Sequence, residues 1–266
     1  MSRVALLIPV YNNQHGLQRS LAALTDEVPL DIVVVDDGST PPIRLPEVPP
    51  PHRAFLLRLE ENKGIEHALN HGLGWILERG YEYVARLDAG DIPHPGRFLK
   101  QTEFLDENPE YALVGGQVQF VGPDGEEVFR ERFPTEDAQI RRIMHARNCF
   151  IHPAVMIRAS ALKAVGLYSD RYKAAEDFEL FFRIVQRFKV ANLPDYVVRC
   201  EVNPKGISLT RRREQVLSRL KVMLLHFDPR IKESWLGLVK NLLLLFAPVP
   251  AVQALKRRLG GQRGWL

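Results

Sequence analysis

The sequence contains only two cysteines, Cys149 and Cys200, and they form neither a Cys-x-x-Cys pair nor a Cys/His cluster. Two cysteines cannot build a disulfide framework, and their spacing does not match a zinc-binding motif. These absences exclude the disulfide-rich secreted class and the zinc-finger class. The same cysteine usage is typical of a reducing compartment. Residues 1–11 also lack a charged leader segment and a cleavage site, so we expect a cytoplasmic protein.

The sequence also lacks an apolar run long enough to cross a membrane. Residues 242–255 carry no charge, but Pro248 and Pro250 interrupt them. A membrane-spanning helix requires about 20 predominantly apolar residues. We therefore expect the segment 235–252 to lie at an interface, either with a membrane surface or with a protein partner.

No glycine-rich nucleotide-binding loop follows the first apolar run. A dinucleotide-binding dehydrogenase would carry Gly-x-Gly-x-x-Gly at this point, and a sugar nucleotidyltransferase would carry a glycine-rich loop with Lys or Arg. The chain instead continues Tyr11-Asn12-Asn13-Gln14-His15. The dehydrogenase class is excluded, and the nucleotidyltransferase class is kept only as an alternative.

Excess positive charge is missing from most of the chain and is concentrated at its end. Residues 211–266 contain twelve Lys or Arg and three acids, a net charge of +9. Since the whole chain carries +4, the preceding residues have a net charge of about −5. A basic tail beside an acidic body indicates an anionic partner surface. We expect peripheral contact with the inner face of the cytoplasmic membrane through residues 211–266, and no nucleic acid partner. The alternative is that the tail packs on protein, including in a homodimer.

Apolar runs alternate with helical patterns over the first part of the chain. Continuous apolar runs, typical of parallel strands buried on both faces, occupy residues 4–10, 32–35, 55–57 and 83–87. Apolar residues recur at helical spacing after the first and third runs, at Leu17, Leu21, Leu24, Ile65, Leu69, Leu73 and Ile76. This alternation predicts an α/β fold with a doubly wound, mostly parallel sheet over residues 1–115.

The pattern changes after residue 115. Residues 117–121 predict a strand that enters a hairpin turn at 122–125. A helix is expected over residues 136–146, strands are expected at 154–157 and near Val190 and Val197, and a helix begins at Glu176-Asp177. We therefore divide the chain into residues 1–115, a second half of the same domain at 116–205, and a basic, apolar helical tail at 206–266.

Three clusters of carboxylates stand at the ends of predicted strands or at the start of a predicted helix. They are Asp36-Asp37, Asp88-Ala89-Gly90-Asp91 and Glu176-Asp177. In an open α/β sheet the carboxyl ends of the strands form the ligand-binding edge. The three clusters therefore predict one active site.

This ordered set of motifs, over about residues 3–202, resembles family 2 glycosyltransferases of the GT-A fold, of the inverting bacterial polysaccharide or lipopolysaccharide type. The resemblance implies a mostly parallel central sheet with a smaller acceptor-side half and a C-terminal helical tail. Residues 1–115 would bind a nucleotide sugar, and residues 116–205 would bind the acceptor and hold the catalytic base. The implied reaction moves a hexosyl group from a UDP- or dTDP-linked donor to a glycan or lipid-linked acceptor during synthesis of a cell-surface polysaccharide.

The resemblance also implies which residues bind the donor. Backbone near Pro9 and Val10 with the Asp36 carboxylate would hold the base and ribose, because an imide N–H requires an acceptor and a carboxylate supplies a charge-assisted hydrogen bond. Glu61-Asn62-Lys63-Gly64 resembles the turn that opens a helix beneath the donor phosphates. The predicted nucleotide-binding set is Pro9, Val10, Tyr11, Asn12, Asp36, Asp37, Asn62, Gly64 and Asp88. Ordinary turns are the alternative for Asp36-Asp37-Gly38-Ser39 and for Gly64.

The motif Asp88-Ala89-Gly90-Asp91 departs from the family pattern at Gly90. Most members have an aspartate there, which binds Mg²⁺ or Mn²⁺ at the diphosphate. A hard divalent cation accepts few protein carboxylates and keeps water and phosphate oxygens as further ligands. Asp88 and Asp91 are therefore the predicted metal ligands, and a reaction without metal is the alternative.

Asp177 matches the catalytic base of the family, which removes the proton of the acceptor hydroxyl. Simple helix capping is the alternative, since the helix dipole favours acids in the first turn. Glu176 and His152, the latter in the segment Phe150-Ile151-His152-Pro153, are candidate acceptor-site residues. A non-catalytic sugar-nucleotide or glycan-binding protein remains the alternative from a different functional class, because Gly90 departs from the motif.

Overall fold

The computed structural model describes residues 2–25, 28–202 and 211–247. Within these residues one sheet contains the strands β1 (Val4–Val10), β2 (Leu30–Asp37), β3 (Arg53–Leu59), β4 (Tyr83–Arg86), β5 (Ile92–Pro93), β6 (Tyr111–Val121), β7 (Glu127–Glu131), β8 (Met156–Arg158) and β9 (Lys189–Glu201). The α-helices are α1 (Gln14–Ala22), α2 (Ile65–Glu78), α3 (Arg97–Glu107), α4 (Asp137–Met144), α5 (Ala159–Val165), α6 (Glu176–Arg187), α7 (Arg212–Leu225) and α8 (Lys232–Phe246). A 3-10 turn at His152–Ala154 precedes β8.

The sheet has the order β3-β2-β1-β4-β8-β6-β9-β5, and β7 pairs with β6. Strands β3, β2, β1 and β4 are parallel, β8 is antiparallel to both of its neighbours, and β6 and β9 are parallel. The predicted α/β sheet is confirmed.

Strand order reverses at β1, which lies between β2 and β4. Ligands of such sheets bind at the carboxyl ends of the strands beside this switch point.

The apolar runs of β1, β2 and β4 are buried on both faces, whereas β3 is a partly exposed edge strand. On β1, Leu6 and Ile8 pack into the same core cluster as Leu17 and Leu21 of α1. Leu7 points to the other face, where it packs with α2. Burial of each such side chain contributes about 1.5 to 3 kcal/mol. Gly72 lets α2 approach the sheet closely, since a Cβ there would overlap the Leu7 side chain.

The second half contains two longer strands than the pattern predicted. Strand β6 begins at Tyr111 instead of residue 117, so the division after residue 115 falls inside a strand. The segments near Val190 and Val197 form one strand, β9. Its pairing with β6 shifts register on either side of Gln117, opposite the segment that contains Pro194. Proline lacks the N–H of a ladder hydrogen bond, so the strand bulges there while continuing in the same direction.

Helices α7 and α8 pack on α4 and α6 of the second half. Val222 and Met223 belong to the same core cluster as Phe178 and Phe182 of α6. The backbone of α8 lies against the end of α4, where a Cβ on Gly237 would lie 2.5 Å from the His145 carbonyl oxygen.

The tail predicted at 206–266 is therefore described only for residues 211–247, and its last part lies outside the described residues. The uncharged segment 242–255 also extends beyond them. In the described part of the chain, no helix has the length and apolar character needed to cross a membrane.

Candidate active site

A cleft of about 200 Å³ lies at the carboxyl ends of β1, β2 and β4. Its lining residues are Pro9, Val10, Tyr11, Asn13, Asp37, Ile65, Ala68, Asp88 and Ala89. Five of these were predicted from the sequence to bind nucleotide: Pro9, Val10, Tyr11, Asp37 and Asp88. A larger pocket of about 270 Å³ lies at the opposite edge of the sheet, between Gly80 and Lys163, and contains no predicted site residue. The smaller cleft is the candidate site because it contains the strand-end carboxylates.

The two aspartates at the end of β2 have different environments. Asp36 is completely buried, and its two oxygens accept hydrogen bonds from the backbone N–H of Ser39 at 2.9 Å and of Ile43 at 3.1 Å. It therefore holds the turn after β2, and it does not line the cleft. The contact of Asp36 with the base stays a prediction.

Asp37 is the β2 aspartate that lines the cleft. Its carboxylate accepts hydrogen bonds from the N–H of Lys63 at 2.8 Å and of Gly64 at 3.1 Å. Burial raises the pKa of Asp37, and the two N–H donors oppose this shift. Gly64 has φ +97°, which lets the turn present its N–H to Asp37. The start of α2 is thus engaged by Asp37, and Asn62 is exposed in the turn and does not line the cleft.

Asn12 and Asn13 face different neighbours at the end of β1. The Asn12 side chain accepts a hydrogen bond from the N–H of Thr40 at 2.9 Å and so stabilises the turn after β2. Asn12 does not line the cleft. Asn13 caps α1 through the N–H of Gly16 and donates to the Ala89 carbonyl at 2.8 Å. Asn13 lines the cleft and was not predicted as a site residue. Both asparagines follow the first strand in the sequence, but the sequence does not show which of the two faces a ligand.

Asp88 is held by an arginine that sequence reasoning did not select. The Arg86 guanidinium lies 2.6 Å from the Asp88 carboxylate. Arg86 is only 1% exposed and also donates to the carbonyls of Leu7 and Leu87. The sequence could have pointed to Arg86, because it is an arginine inside an apolar strand. A buried cation requires several acceptors, so such a residue is expected to have charged or polar partners.

Asp91 does not line the cleft, where a metal ion bound to a diphosphate would lie. It is buried, and its carboxylate accepts the N–H of Glu201 on β9 at 3.0 Å. Burial and the neighbouring Asp88 charge raise the pKa of Asp91 to about 8. Its carboxylate is thus directed to the backbone of β9.

The motif offers few carboxylate oxygens to a resident Mg²⁺ or Mn²⁺. Among the residues that the structure describes, no group of three or more His, Cys, Asp or Glu side chains is placed to hold a metal ion. Asp88 is left as the only carboxylate of its motif at the cleft, and it is paired with Arg86. A divalent cation also takes water and phosphate oxygens as ligands, so the assignment of Asp88 and Asp91 as metal ligands stays a prediction.

The acid pair at the start of α6 contains one carboxylate suited to act as a base. Burial and the adjacent Asp177 charge raise the pKa of Glu176 to about 8. Burial also raises the pKa of Asp177, but the Phe178 N–H, Arg219 and Arg86 oppose this shift. The Asp177 carboxylate also accepts a hydrogen bond from Asn148 at 3.0 Å. Asp177 is thus the member of the pair whose charged form is supported by Arg219 and by the Asn148 amide.

Arg219 lies on α7, and its charge acts on Asp177. No local motif pointed to this residue. It stands one helical turn before Val222 and Met223, which pack on α6. Its charge faces Asp177 and Glu131. Only the packing of α7 on α6 brings Arg219 to the site.

His152 lies inside a hydrogen-bonded network. Its Nε2 is 2.7 Å from the Tyr168 hydroxyl and accepts from the Arg86 guanidinium at 3.3 Å. Burial and the Arg86 charge hold the pKa of His152 well below its usual value. Tyr168 in turn exchanges backbone hydrogen bonds with the Asn70 side chain on α2. His152 therefore links the two halves of the domain as a neutral ring.

Comparison with known proteins agrees with this geometry. A family model, "Glycosyl transferase family 2", matches residues 5–166. The chain is 31% identical over 223 residues to an uncharacterized glycosyltransferase of Haemophilus influenzae, over 82% of this chain and 81% of the relative. It is 32% identical over 176 residues, 64% of each chain, to the amylovoran biosynthesis glycosyltransferase AmsE of Erwinia amylovora.

Solved structures share the fold. TarS 1-349 of S. aureus in complex with UDP-GlcNAc matches with a TM-score of 0.62 at 19% identity, over 91% of this chain and 72% of that chain. The mannosyltransferase PcManGT of Pyrobaculum calidifontis, in complex with GDP-Man and Mn²⁺, matches with a TM-score of 0.59 at 17% identity, over 95% and 78%. The chain belongs to glycosyl transferase family 2 and is a glycosyltransferase with the GT-A fold.

Proposed function

We propose that this enzyme transfers a sugar, with inversion, from a UDP- or dTDP-linked donor to a hydroxyl of a glycan or glycolipid. The observation that carries the proposal is the position of Arg86. Its guanidinium pairs with Asp88 in the cleft at 2.6 Å, and its charge also acts on Glu176 and Asp177. A donor-side carboxylate and the acceptor-side acid pair therefore share one buried cation.

The cleft suits the nucleoside part of the donor. Asp37 offers an acceptor for the imide N–H of uracil or thymine, and the half-exposed Tyr11 ring offers a stacking surface beside it. The complexes of TarS with UDP-GlcNAc and with UDP support a uridine nucleotide as the first donor to test. A cytosine ring would present an acceptor at this position and would repel Asp37.

Asp177 has the properties of the general base. The Asp177 carboxylate takes the proton of the acceptor hydroxyl while the hydroxyl oxygen forms its bond to the anomeric carbon. The bond from that carbon to the diphosphate breaks on the opposite face, so the configuration inverts and the nucleoside diphosphate leaves. A base that is ionised in a buried site contributes about 10²- to 10⁴-fold to such a rate.

Synthesis of a cell-surface polysaccharide is the proposed context. The name of AmsE, a relative at 32% identity, places that protein in amylovoran biosynthesis. The acceptor would approach from the side of α6, where Asn148 and Arg219 accompany Asp177.

The outer surface of α7 and α8 supports peripheral contact with an anionic membrane at the inner face of the cytoplasmic membrane. One side of the hairpin packs on the domain, while the other leaves large apolar side chains exposed: Leu217, Leu224, Leu225, Trp235, Leu236, Val239, Leu242, Leu243 and Phe246. Residues 211–247 also contain more lysines and arginines than acids. Basic residues near anionic lipid contribute about 1 kcal/mol each, and apolar insertion adds to that. A homodimer through the same surface is the competing arrangement.

Asp177→Asn tests the catalytic proposal. Thermal shift with UDP-, dTDP- and GDP-sugars first identifies the donor, and release of nucleoside diphosphate then measures turnover. We expect the variant to lose about 10²- to 10⁴-fold in turnover while nucleotide affinity stays within a few fold. A variant that keeps more than half of the wild-type turnover would overturn the role of Asp177. Donor binding by the wild type without transfer or hydrolysis would favour the non-catalytic sugar-nucleotide-binding alternative.

A further inference from the structure

The donor cleft contains carboxylates where a diphosphate must lie. Asp37 and Asp88 both line it. A nucleoside diphosphate adds further negative charge, and phosphate in a partly buried site requires cations or several N–H donors. Gly90 removes one carboxylate from this motif, and Asp88 is paired with Arg86. A cationic side chain of the protein can therefore supply the compensating charge.

Arg86 is not available for this task. It is almost fully buried, and its guanidinium already donates to Leu7, Leu87, Asp88 and His152. Arg58 lies on β3, where it donates to the Ser39 carbonyl and lies 3.9 Å from Asp36. Arg86 is therefore not free to turn toward a phosphate, and Arg58 lies beside Asp36.

Gly90 leaves a space beside the cleft that two side-chain donors face. A Cβ at this position would lie 3.6 Å from Arg19 Nη2 and 3.7 Å from Asn13 Nδ2, with no backbone atom close by. Gly90 has φ +115°, a conformation that favours glycine. An arginine therefore stands where the usual aspartate side chain of the motif would project.

Arg19 is held in place and remains partly accessible. Its guanidinium forms an ion pair with Glu201 at the end of β9, and its side chain is 39% exposed. Its buried Nε has no hydrogen-bond partner among the residues that the structure describes. Asn13, the second donor, is itself part of the cleft lining. Asn13 caps the N-terminus of α1, and Arg19 lies in the last turn of the same helix.

We propose that Arg19, assisted by Asn13, binds the donor diphosphate and supplies the positive charge that a divalent metal supplies in relatives with an aspartate at position 90. This inference rests on the proposed function, because it requires a nucleotide sugar in the cleft. The charge also stabilises the nucleoside diphosphate as it leaves. Binding and turnover would then be independent of divalent metal.

Calorimetry with UDP and with uridine tests the proposal, since uridine lacks the diphosphate. We expect Arg19→Gln to weaken UDP binding by about 10- to 100-fold, the range of a charged hydrogen bond, and to leave uridine binding unchanged. Lys163→Gln, at the opposite edge of the sheet, is the control for a lost exposed cation. EDTA is expected to leave the wild-type affinity for UDP unchanged.

Glu201→Gln separates ligand binding from a structural role of the ion pair. If Arg19 binds the diphosphate, this variant releases the guanidinium and UDP affinity stays the same or rises. If Arg19 only anchors β9, Glu201→Gln weakens UDP binding as Arg19→Gln does, and the proposal is overturned.

Two further outcomes would also overturn the proposal. One is wild-type UDP affinity in Arg19→Gln together with weakened affinity in Lys63→Gln, since Lys63 is the exposed cation of the turn that binds Asp37. The other is loss of UDP binding in EDTA with recovery in Mn²⁺. A wild-type protein that binds no nucleoside diphosphate at all would instead defeat the proposed function itself.

Discussion

The ring of His226, the residue that follows α7, stacks on the Phe182 ring on α6, with centroids 4.2 Å apart and planes 5° from parallel. Burial holds the pKa of His226 near 4, so the stacked ring is neutral at physiological pH. Phe182 belongs to the same helix as the proposed base, Asp177. The described part of the basic tail thus packs on α6, the helix that carries the proposed base. We therefore expect substitutions in α7 to affect α6.

The first prediction concerns the stability contributed by α7. Met223 is 3% exposed against α6, whereas its neighbour Leu224 is 61% exposed. We expect Met223→Ala to lower the free energy of unfolding by about 2 to 4 kcal/mol, because it leaves a cavity in the core. Leu224→Ala is the matched control and should change stability by about 0.5 kcal/mol or less. Urea denaturation measures both, and equal effects would show that α7 does not pack as described.

The second prediction concerns the pH dependence of turnover. Asp177 works as a base only when ionised, so kcat/KM falls as pH falls through its pKa, which burial raises above the ordinary aspartate value. The charged or titratable groups that face it are Glu176, Arg86, Arg219 and Tyr168. Removing the positive charge in Arg219→Gln favours the protonated acid. The acidic limb should then move to higher pH by about one unit.

Arg213→Gln is the control for this profile, because Arg213 is an exposed arginine on the same helix. Its pH profile should match that of the wild type. An acidic limb that stays in place in Arg219→Gln, or moves to lower pH, would remove Arg219 from the electrostatics of the base.

The third prediction separates the two aspartates at the end of β2. Asp37→Asn should weaken UDP binding by about 1.5 to 3 kcal/mol, the contribution of a charged hydrogen bond, with a smaller effect on folding. Asp36→Asn should chiefly lower the melting temperature, since its oxygens hold the N–H groups of Ser39 and Ile43. Calorimetry and thermal denaturation of both variants measure the two effects. The opposite pattern would return the base-binding role to Asp36.

The fourth prediction concerns the exposed face of α7 and α8. Leu243 and Phe246 are 66% and 85% exposed. Their double replacement by serine should leave the fold intact and reduce sedimentation with vesicles that contain anionic lipid, because each buried apolar side chain contributes about 1.5 to 3 kcal/mol. Val128→Ser, a similarly exposed position on β7, is the control.

Light scattering on the same proteins distinguishes a membrane surface from a second copy of the chain. A dimer that the double variant dissociates, with no vesicle binding by the wild type, would favour the homodimer arrangement.

The local motifs were accurate about which stretches of chain meet at the cleft. The apolar runs had to become buried parallel strands, and a parallel sheet brings the ends of β1, β2 and β4 to one edge. The motifs could not decide which of two adjacent polar residues faces the cleft. At Asp36-Asp37 and at Asn12-Asn13 the second residue lines it, although both members of each pair also bind backbone groups. The outcome depends on which backbone N–H groups need an acceptor.

The sequence alone determined the fold class, the strand-end acids and the acid pair of α6, because hydrophobic periodicity and turn chemistry are local properties of the chain. Tertiary structure decided the contacts between distant segments. It buried Asp91 against β9, enclosed His152 between Arg86 and Tyr168, and brought Arg19 to Gly90 and Arg219 to Asp177. These pairs join elements far apart in the chain. Their charges and hydrogen bonds take effect only after packing has removed water from between them.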